Sequence, residues 1–143
     1  MKILSTEITI NTPVQKVWNL FTDFDSFHNW NPFIKYIKGE MIIGKKIQVM
    51  ISPPNSNPME FSPKLLKYEN QKEIRWIGRV GIPYIFDGEH ILLFIDNKDG
   101  TTKFIQKEQF KGILVPFMKK MLDVNTKNGF ELMNKALKTQ CEK

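Results

Sequence analysis

Several residue types are scarce in this chain, and each shortage limits what the protein can be. Cys141 is the only cysteine among 143 residues, so no intrachain disulfide can form. The first residues turn polar at Ser5, too early for the apolar region of a signal peptide, and no run approaches the ~20 apolar residues of a membrane span. We therefore expect a cytoplasmic protein with no membrane span.

Arginine is also rare, although the chain is basic. It has 21 Lys and Arg against 15 Asp and Glu, a net charge of +6, yet only Arg75 and Arg79 are arginines. Phosphate recognition favours arginine because its guanidinium group binds in a bidentate manner, and the lysines here are dispersed along the chain. Alanine occurs only at Ala136, a bias typical of AT-rich codon usage. The charge thus indicates a solvated surface, and we expect no nucleic-acid partner.

What the chain does have is enough apolar and aromatic material for one ordinary core. Hydrophobic residues make up 41% of the chain, charged residues 25% and aromatic residues 12%. A chain of this length fits one domain, so residues 1–143 are predicted to form a single domain. Eleven phenylalanines and three tryptophans predict a core, or a cavity inside it, that is lined with rings.

The N-terminal region reads as a strand followed by two helices. Ile3 to Ile10 alternates as a strand does, and Thr12-Pro13 opens a helix in which Gln15 would complete a capping box. The apolar stripe of this helix consists of Val14, Val17, Trp18 and Phe21. A second, short helix is predicted from Asp23 to Asn29, before Pro32 prevents continuation.

The remainder reads as a sheet and one long helix. Between Ile34 and Phe110, β-branched and aromatic runs broken by turn residues predict about six strands, and their short connections predict antiparallel pairing. From Gly112 to Thr139 helical spacing returns, with Pro116 tolerated only near the start. The predicted buried stripe consists of Leu114, Met118, Met121, Leu122, Phe130, Met133 and Leu137. For the methionines we favour core packing, although thioethers could also adapt to a ligand.

A predicted hairpin between Ile85 and Phe110 gives the sharpest inference about a site. Its five-residue loop, 97–101, places Asp96 opposite Thr102, and the ladder then places His90 opposite Glu108. The same register puts Leu92 opposite Gln106 and Phe94 opposite Phe104. A histidine and a carboxylate would therefore meet on an apolar, aromatic face. A bulge near Gly88 could shift this register.

The pair of His90 and Glu108 leaves three interpretations open. It could be a structural ion pair, an anchor for a polar ligand group, or a general acid–base pair.

Other candidate sites are poorly supported by the sequence. His28 is predicted to lie at the surface, and with one terminal cysteine the chain has no spacing typical of a metal site. It also has no Gly-x-Ser-x-Gly turn and no Gly-rich phosphate loop, so we expect no metal and no cofactor. Trp76, between Arg75 and Ile77, is predicted to point inward.

In this order of elements the chain resembles the helix-grip fold of the START-like superfamily (SRPBCC), in its bacterial polyketide cyclase/dehydrase-type branch. The resemblance covers nearly the whole chain and is carried by Trp30-Asn31-Pro32-Phe33, Gly39 and Gly44, Arg75-Trp76, Phe86-Asp87-Gly88-Glu89-His90, Glu108-Gln109-Phe110-Lys111-Gly112, Pro116-Phe117 and 129–138. It implies an α+β fold. About seven strands would form a curved antiparallel sheet around a long C-terminal helix, with two short helices after the first strand.

The resemblance also implies a cavity between sheet and helix that holds a hydrophobic ligand. His90 and Glu108 resemble inward polar residues of that cavity, while Gln106 stands where many relatives have a basic or histidine side chain. The hairpin, the helix stripe and the resemblance together give the predicted ligand-binding residues. They are Trp30, Phe33, Trp76, Phe86, His90, Leu92, Phe94, Phe104, Gln106, Glu108, Phe110, Met118, Met121 and Asn125.

Three functions follow from these features. The first is a non-enzymatic module, a monomer or weak homodimer, that encloses a small lipid- or polyketide-like molecule. The second is a cyclase or dehydrase in which His90 is the acid–base group and Glu108 orients it; no catalytic role is assigned beyond these candidates. The third is a co-chaperone-type interaction domain, which would need an apolar patch such as Ile91, Leu93 and Ile95.

Overall fold

Two antiparallel sheets and a C-terminal helix build the fold. The computed structural model describes residues 1–79 and 84–143. In chain order the elements are β1 (Lys2–Ile10), α1 (Val14–Thr22), a 3₁₀ turn (Phe24–Ser26), α2 (Phe27–Trp30), β2 (Ile34–Lys38), β3 (Gln48–Ile51), β4 (Met59–Phe61), β5 (Lys64–Glu69), β6 (Glu73–Arg79), β7 (Asp87–Asp96), β8 (Thr102–Lys111), a 3₁₀ turn (Val115–Met118), a π-helical segment (Met121–Thr126) and α3 (Lys127–Cys141).

The curved main sheet has five strands in the order β1-β8-β7-β6-β5, and β2-β3-β4 form a second sheet of three. The predicted α+β helix-grip fold is confirmed, and the described residues form eight strands in two sheets where the sequence suggested about seven in one. Pro63 stands between β4 and β5 and has no N–H to donate to a ladder, so the short strand β4 does not continue into the main sheet.

The register of the central hairpin is confirmed. Asp96 pairs with Thr102, Phe94 with Phe104 and His90 with Glu108, and the ladder runs from Asp87 to Asp96 without a bulge. On β8 the even positions from 102 to 106 are buried, and position 110 is buried as well. The strand therefore presents the face that the alternation predicted.

The predicted capping box at α1 is wrong. Its N-terminus has no side-chain cap, and the hydroxyl of Thr12 instead donates to the Cys141 carbonyl oxygen at 3.0 Å. The carbonyl of Thr12 in turn accepts from the hydroxyl of Thr102 at 2.7 Å. Thr12 thus joins the end of β1, the start of β8 and the last turn of α3, a tertiary bond that the local pattern could not reveal.

The C-terminal helical region is less regular than the spacing predicted. A 3₁₀ turn containing Pro116 comes first, a wider π-helical segment follows, and a regular α-helix begins only at Lys127. From the predicted stripe, Leu122, Phe130, Met133 and Leu137 are buried, whereas Leu114 is 40% exposed. Among the described residues, no helix has both the length and the apolar character needed to span a bilayer.

The first helix packs on one half of the inner sheet face. The ring of Trp18 meets that of Phe94 edge-on at a centroid distance of 5.0 Å, and Phe21 contacts Phe94 at 5.4 Å and Phe104 at 5.8 Å. This aromatic cluster fills the space between α1 and the turn end of the β7–β8 hairpin. The other half of the same face is left for the cavity.

The suggested outer apolar patch on β7 is not present in the described structure. Ile91 is only 1% exposed, and Ile95, at 41%, is the one strongly exposed member of the three. Ile91 lies between Arg75 on β6 and Lys107 on β8, whose aliphatic stems can cover it.

Candidate functional site

A cavity of about 280 Å³ lies between the sheets and the C-terminal helical region. The three-stranded sheet, the Gly-rich half of β6 and β7, and the π-helical segment form its walls. Its lining consists of Phe33, Val49, Ile51, Pro53, Ser56, Asn57, Met59, Phe61, Pro63, Trp76, Gly78, Phe86, Gly88, His90, Glu108, Phe110, Leu114, Met118, Met121, Leu122 and Thr126. Met59 and Leu114 are 47% and 40% exposed, so this part of the lining reaches the surface.

Eight predicted ligand-binding residues lie in this lining. They are Phe33, Trp76, Phe86, His90, Glu108, Phe110, Met118 and Met121. Phe86 and Phe110 stack at 5.7 Å, and Trp76 packs against the imidazole of His90 at 5.0 Å. The structure therefore brings the hairpin, β6 and the helical region together around one space.

Six other predicted residues do not line the cavity. Phe94 and Phe104 lie under α1, and Leu92 is fully buried in the core. Trp30 packs on Phe27 at 5.2 Å, and its indole N–H donates to Ser26. The last two are Gln106 and Asn125.

Those last two residues contact the lining from behind. Gln106 is fully buried and hydrogen-bonds to His90, whereas the amide of Asn125 donates to the Ser56 hydroxyl at 3.1 Å. Each therefore supports a cavity residue.

The sequence interpretation missed the wall that the second sheet provides. Val49, Ile51, Met59 and Phe61 come from β3 and β4. Val49 and Ile51 lie two residues apart, as residues on one face of a strand do, and this spacing could have indicated an apolar face. Nothing local indicates that this face turns toward the main sheet.

His90 and Glu108 are the polar centre of the cavity. The imidazole Nδ1 lies 3.3 Å from Oε1 of Glu108, and the His90 side chain is almost completely buried. This contact lies outside hydrogen-bonding geometry, so Nδ1 has no hydrogen-bond partner among the described residues. The opposite nitrogen, Nε2, lies 3.0 Å from Oε1 of Gln106. One ring nitrogen is thus hydrogen-bonded by the protein, and the other lies beside the Glu108 carboxylate.

A buried polar chain, formed by Thr6, Asn134, Gln106 and His90, supports this imidazole. Nε2 of Gln106 donates to Oδ1 of Asn134 at 2.9 Å and lies 3.4 Å from the carbonyl oxygen of Phe130. Nδ2 of Asn134 donates to Oγ1 of Thr6 at 2.9 Å, and Thr6 donates to the backbone oxygen of Gln106 at 3.1 Å. The buried polar chain therefore connects β1, β8 and α3 behind the cavity.

Gly88 makes room for the carboxylate of Glu108. A Cβ at this position would overlap Oε2 of Glu108 and lie 3.4 Å from its Cδ. Because any larger residue would displace the carboxylate, the glycine allows Glu108 to lie against β7 beside His90.

The electrostatics of the site are simple. Among the described lining residues Glu108 is the only acidic one, and none is Lys or Arg. Residues 80–83, Val-Gly-Ile-Pro, also carry no charge in the sequence. Within residues 1–79 and 84–143, no three His, Cys, Asp or Glu side chains converge as metal ligands would. The arrangement can hold an apolar body, accept hydrogen bonds, and exchange a proton at His90 or Glu108.

Comparison with protein families gives one match over almost the entire chain. The family described as polyketide cyclase / dehydrase and lipid transport matches residues 1–142. No curated protein sequence matches the chain.

Solved structures share the fold at low sequence identity. The Zhui aromatase/cyclase from Streptomyces sp. R1128 superposes with a TM-score of 0.78 at 10% identity, over 99% of this chain and 93% of that one. A START superfamily protein from Mycobacterium smegmatis gives 0.72 at 15% identity, over 98% and 97%. Norcoclaurine synthase from Thalictrum flavum, in complex with dopamine and hydroxybenzaldehyde, gives 0.71 at 12% identity, over 97% and 85%. At these identities the likeness concerns the fold.

Proposed function

The chain belongs to the polyketide cyclase / dehydrase and lipid transport family, and on this premise we propose that it binds a small hydrophobic molecule in the cavity between its sheets and its C-terminal helical region. The observation that carries the proposal is the lining itself. Apolar and aromatic side chains form most of it, and one polar pair, His90 and Glu108, lies among them. Such a combination is typical of small-molecule sites, in which apolar contacts supply affinity and a few polar groups set orientation.

The size of the cavity limits the part of the ligand that the protein can enclose. A dry cavity of ~150 Å³ takes one benzene molecule, so a volume of about 280 Å³ suits a body of roughly two fused rings. The rings of Trp76, Phe86 and Phe110 offer faces and edges for aromatic packing. A two-ring aromatic compound is therefore a suitable first probe.

Methionine methyl groups provide a direct test of binding. With methyl-¹³C-methionine in the protein, titration with 1-methylnaphthalene should shift the NMR signals of Met118 and Met121, which line the cavity. Met41 packs against the core outside the lining and should shift little. If Met118 and Met121 do not respond up to the solubility limit of the probe, the proposal fails.

A cavity-filling variant connects the shifts to this cavity. Gly78 lines it, and a Cβ there would meet only Pro63 Cβ at 3.9 Å, so Gly78→Leu should fill the space and abolish the response. Ile77→Leu, on the opposite face of the same strand, is the matched control and should bind as the parent does. Equal binding by both variants would place the probe elsewhere.

A second candidate function is acid–base catalysis, favoured by the position of Nδ1 of His90 beside Glu108 in the lining. The pair could move a proton on a bound carbonyl compound of the polyketide kind, as a cyclase or dehydrase requires. Turnover of such a substrate should then collapse in His90→Gln while binding persists. Retained turnover in a folded His90→Gln protein would exclude the role of His90.

A further inference from the structure

The donors and acceptors of the buried polar chain can be assigned in order from Thr6, because Thr6 meets a backbone carbonyl group, which can only accept. The single hydroxyl hydrogen of Thr6 goes to the backbone oxygen of Gln106, so Thr6 must accept from Nδ2 of Asn134. Oδ1 of Asn134 therefore faces Gln106 and accepts from Nε2, which also lies near the Phe130 carbonyl. Gln106 consequently presents its carboxamide oxygen to His90.

This sequence of donors and acceptors along the buried polar chain places a hydrogen on one ring nitrogen of His90. Nε2 lies 3.0 Å from an acceptor, Oε1 of Gln106, so Nε2 must carry the hydrogen. When the imidazole is neutral it has only one N–H, and Nδ1 then presents a lone pair. Nδ1 is buried and, within the described residues, makes no hydrogen bond.

The Glu108 carboxylate adds a second acceptor next to that lone pair. Its Oε1 lies 3.3 Å from Nδ1. When the imidazole is neutral and Glu108 is ionised, neither of these two atoms carries a hydrogen that it could donate to the other. Two acceptors this close repel each other, and a donor that binds the carboxylate beside them reduces this repulsion. A ligand can supply that donor.

The charge of the lining excludes anionic ligands at this point. With Glu108 as the only acidic residue and no Lys or Arg in the described lining, a carboxylate or phosphate would meet uncompensated repulsion. A cation would be compensated by Glu108.

We propose that the ligand of this cavity is an apolar molecule whose polar end donates hydrogen bonds, as a hydroxyl group or a protonated amine does, and that this end binds to the Glu108 carboxylate, beside Nδ1 of His90. The inference rests on the proposed function and names the chemical class of its ligand. Ketones and ethers, which only accept, and carboxylates, which are anionic, bind more weakly at equal ring size.

Four naphthalenes of matched size test the class: 2-naphthol, 2-naphthylmethylamine, 2-methoxynaphthalene and 2-naphthoate. Their dissociation constants follow from the methyl signals of Met118 and Met121. The naphthol or the amine should bind at least about tenfold more tightly than the methoxy compound, which corresponds to about 1.4 kcal/mol, and naphthoate should bind most weakly. Preference for the naphthol indicates a hydroxyl ligand, and preference for the amine a cationic one.

Glu108→Gln connects that preference to the pair. It keeps the side-chain shape but removes the charge and replaces one acceptor by an N–H donor, so the advantage of the donor ligands over 2-methoxynaphthalene should fall. Glu89→Gln is the matched control, since Glu89 lies on the outer face of β7 and pairs with Arg75. It should retain the full preference.

The tautomer of His90 can be measured without any ligand. The chain has two histidines, and long-range ¹H–¹⁵N correlation spectra should show His90 with hydrogen on Nε2 only, beside the signals of exposed His28. A hydrogen on Nδ1, in either the other tautomer or the imidazolium form, would overturn the inference. Equal affinity for all four naphthalenes would overturn it while leaving the proposed function intact, and binding of none would overturn both.

Discussion

Gly129 of α3 faces the ring of Phe33 so closely that no side chain fits between them. A Cβ built on Gly129 would lie 2.6 Å from Cε1 of Phe33 and nearer still to Cδ1. Phe33 is fully buried and also packs edge-on against Phe130 at 5.4 Å. The contact holds α3 close to the loop before β2 and fixes one wall of the cavity.

We predict that Gly129→Ala destabilises the protein, although alanine normally favours a helix by about 1 kcal/mol over glycine. The added methyl group must push the ring of Phe33 out of a filled space, and such overpacking costs about 1–3 kcal/mol. Urea unfolding measures the difference. Asn128→Ala, exposed on the same helix, should cost nothing, and a Gly129→Ala protein more stable than the parent would contradict the prediction.

A second prediction concerns the hydroxyl of Thr12. Thr12→Val keeps the side-chain shape but leaves the Cys141 carbonyl without this donor, which should cost about 1–3 kcal/mol. Thr22→Val is the control, because the hydroxyl of Thr22 only returns to the Trp18 carbonyl in its own helix. Thermal or urea unfolding should show a smaller loss for the control, and equal losses would argue against a tertiary role for Thr12.

The thiol of Cys141 should be unreactive in the folded protein. Cys141 is 1% exposed, and burial raises the pKa of its thiol to about 11. At pH 8 only ~0.1% of such a thiol is thiolate, the reactive form. Reaction with Ellman's reagent should be at least about 100-fold slower than in guanidinium-unfolded protein. In a Cys141→Ala background, the exposed thiol of Lys143→Cys should react rapidly, and rapid reaction of native Cys141 would disprove its burial.

A pH dependence is expected from Glu142. The ion pair with Lys138, together with the backbone N–H of Asn11, holds the pKa of this carboxyl below its usual value. A lowered pKa in the folded state means that the stabilisation is present above the ordinary pKa of a glutamate and is lost as the pH falls through the folded value. The melting temperature of Glu142→Gln should therefore be slightly lower than that of the parent at pH 7 and equal to it near pH 3.

The corresponding control is Glu131→Gln, an exposed position on the same helix. It should not reproduce the pH-dependent difference in melting temperature. If the difference in melting temperature between Glu142→Gln and the parent stays constant from pH 7 to pH 3, titration of Glu142 does not contribute to stability.

The register of the β7–β8 hairpin could be predicted because two local features determine it. The loop length sets which residues face each other, and alternation on β8 sets which face is buried, so His90 and Glu108 were placed opposite each other. The prediction of cavity residues was less complete for a physical reason. Phe94 and Phe104 share the inner face with His90 and Glu108, but α1 covers their half. Alternation identifies a face and cannot tell which element packs on each part of it.

The second sheet and the buried polar chain depend on tertiary contacts. Pro63 separates the short strands from the main sheet, yet the sequence does not show that they turn to form a cavity wall. Likewise Thr6 and Asn134 are 128 residues apart and meet only when β1 and α3 pack together. Such contacts carry no local period, and so the pattern could not reveal them.

The pairing of the first strand with the last has a consequence for synthesis. Thr6 lies 100 residues before Gln106, the residue whose backbone oxygen it binds. At roughly 5–20 residues per second, β1 leaves the ribosome on the order of 5–20 s before its partner strand exists. During that interval its backbone edge has no partner strand, while the β7–β8 hairpin can close locally once β8 has emerged. The newly made chain is thus most exposed to aggregation while it waits for residues 102–111.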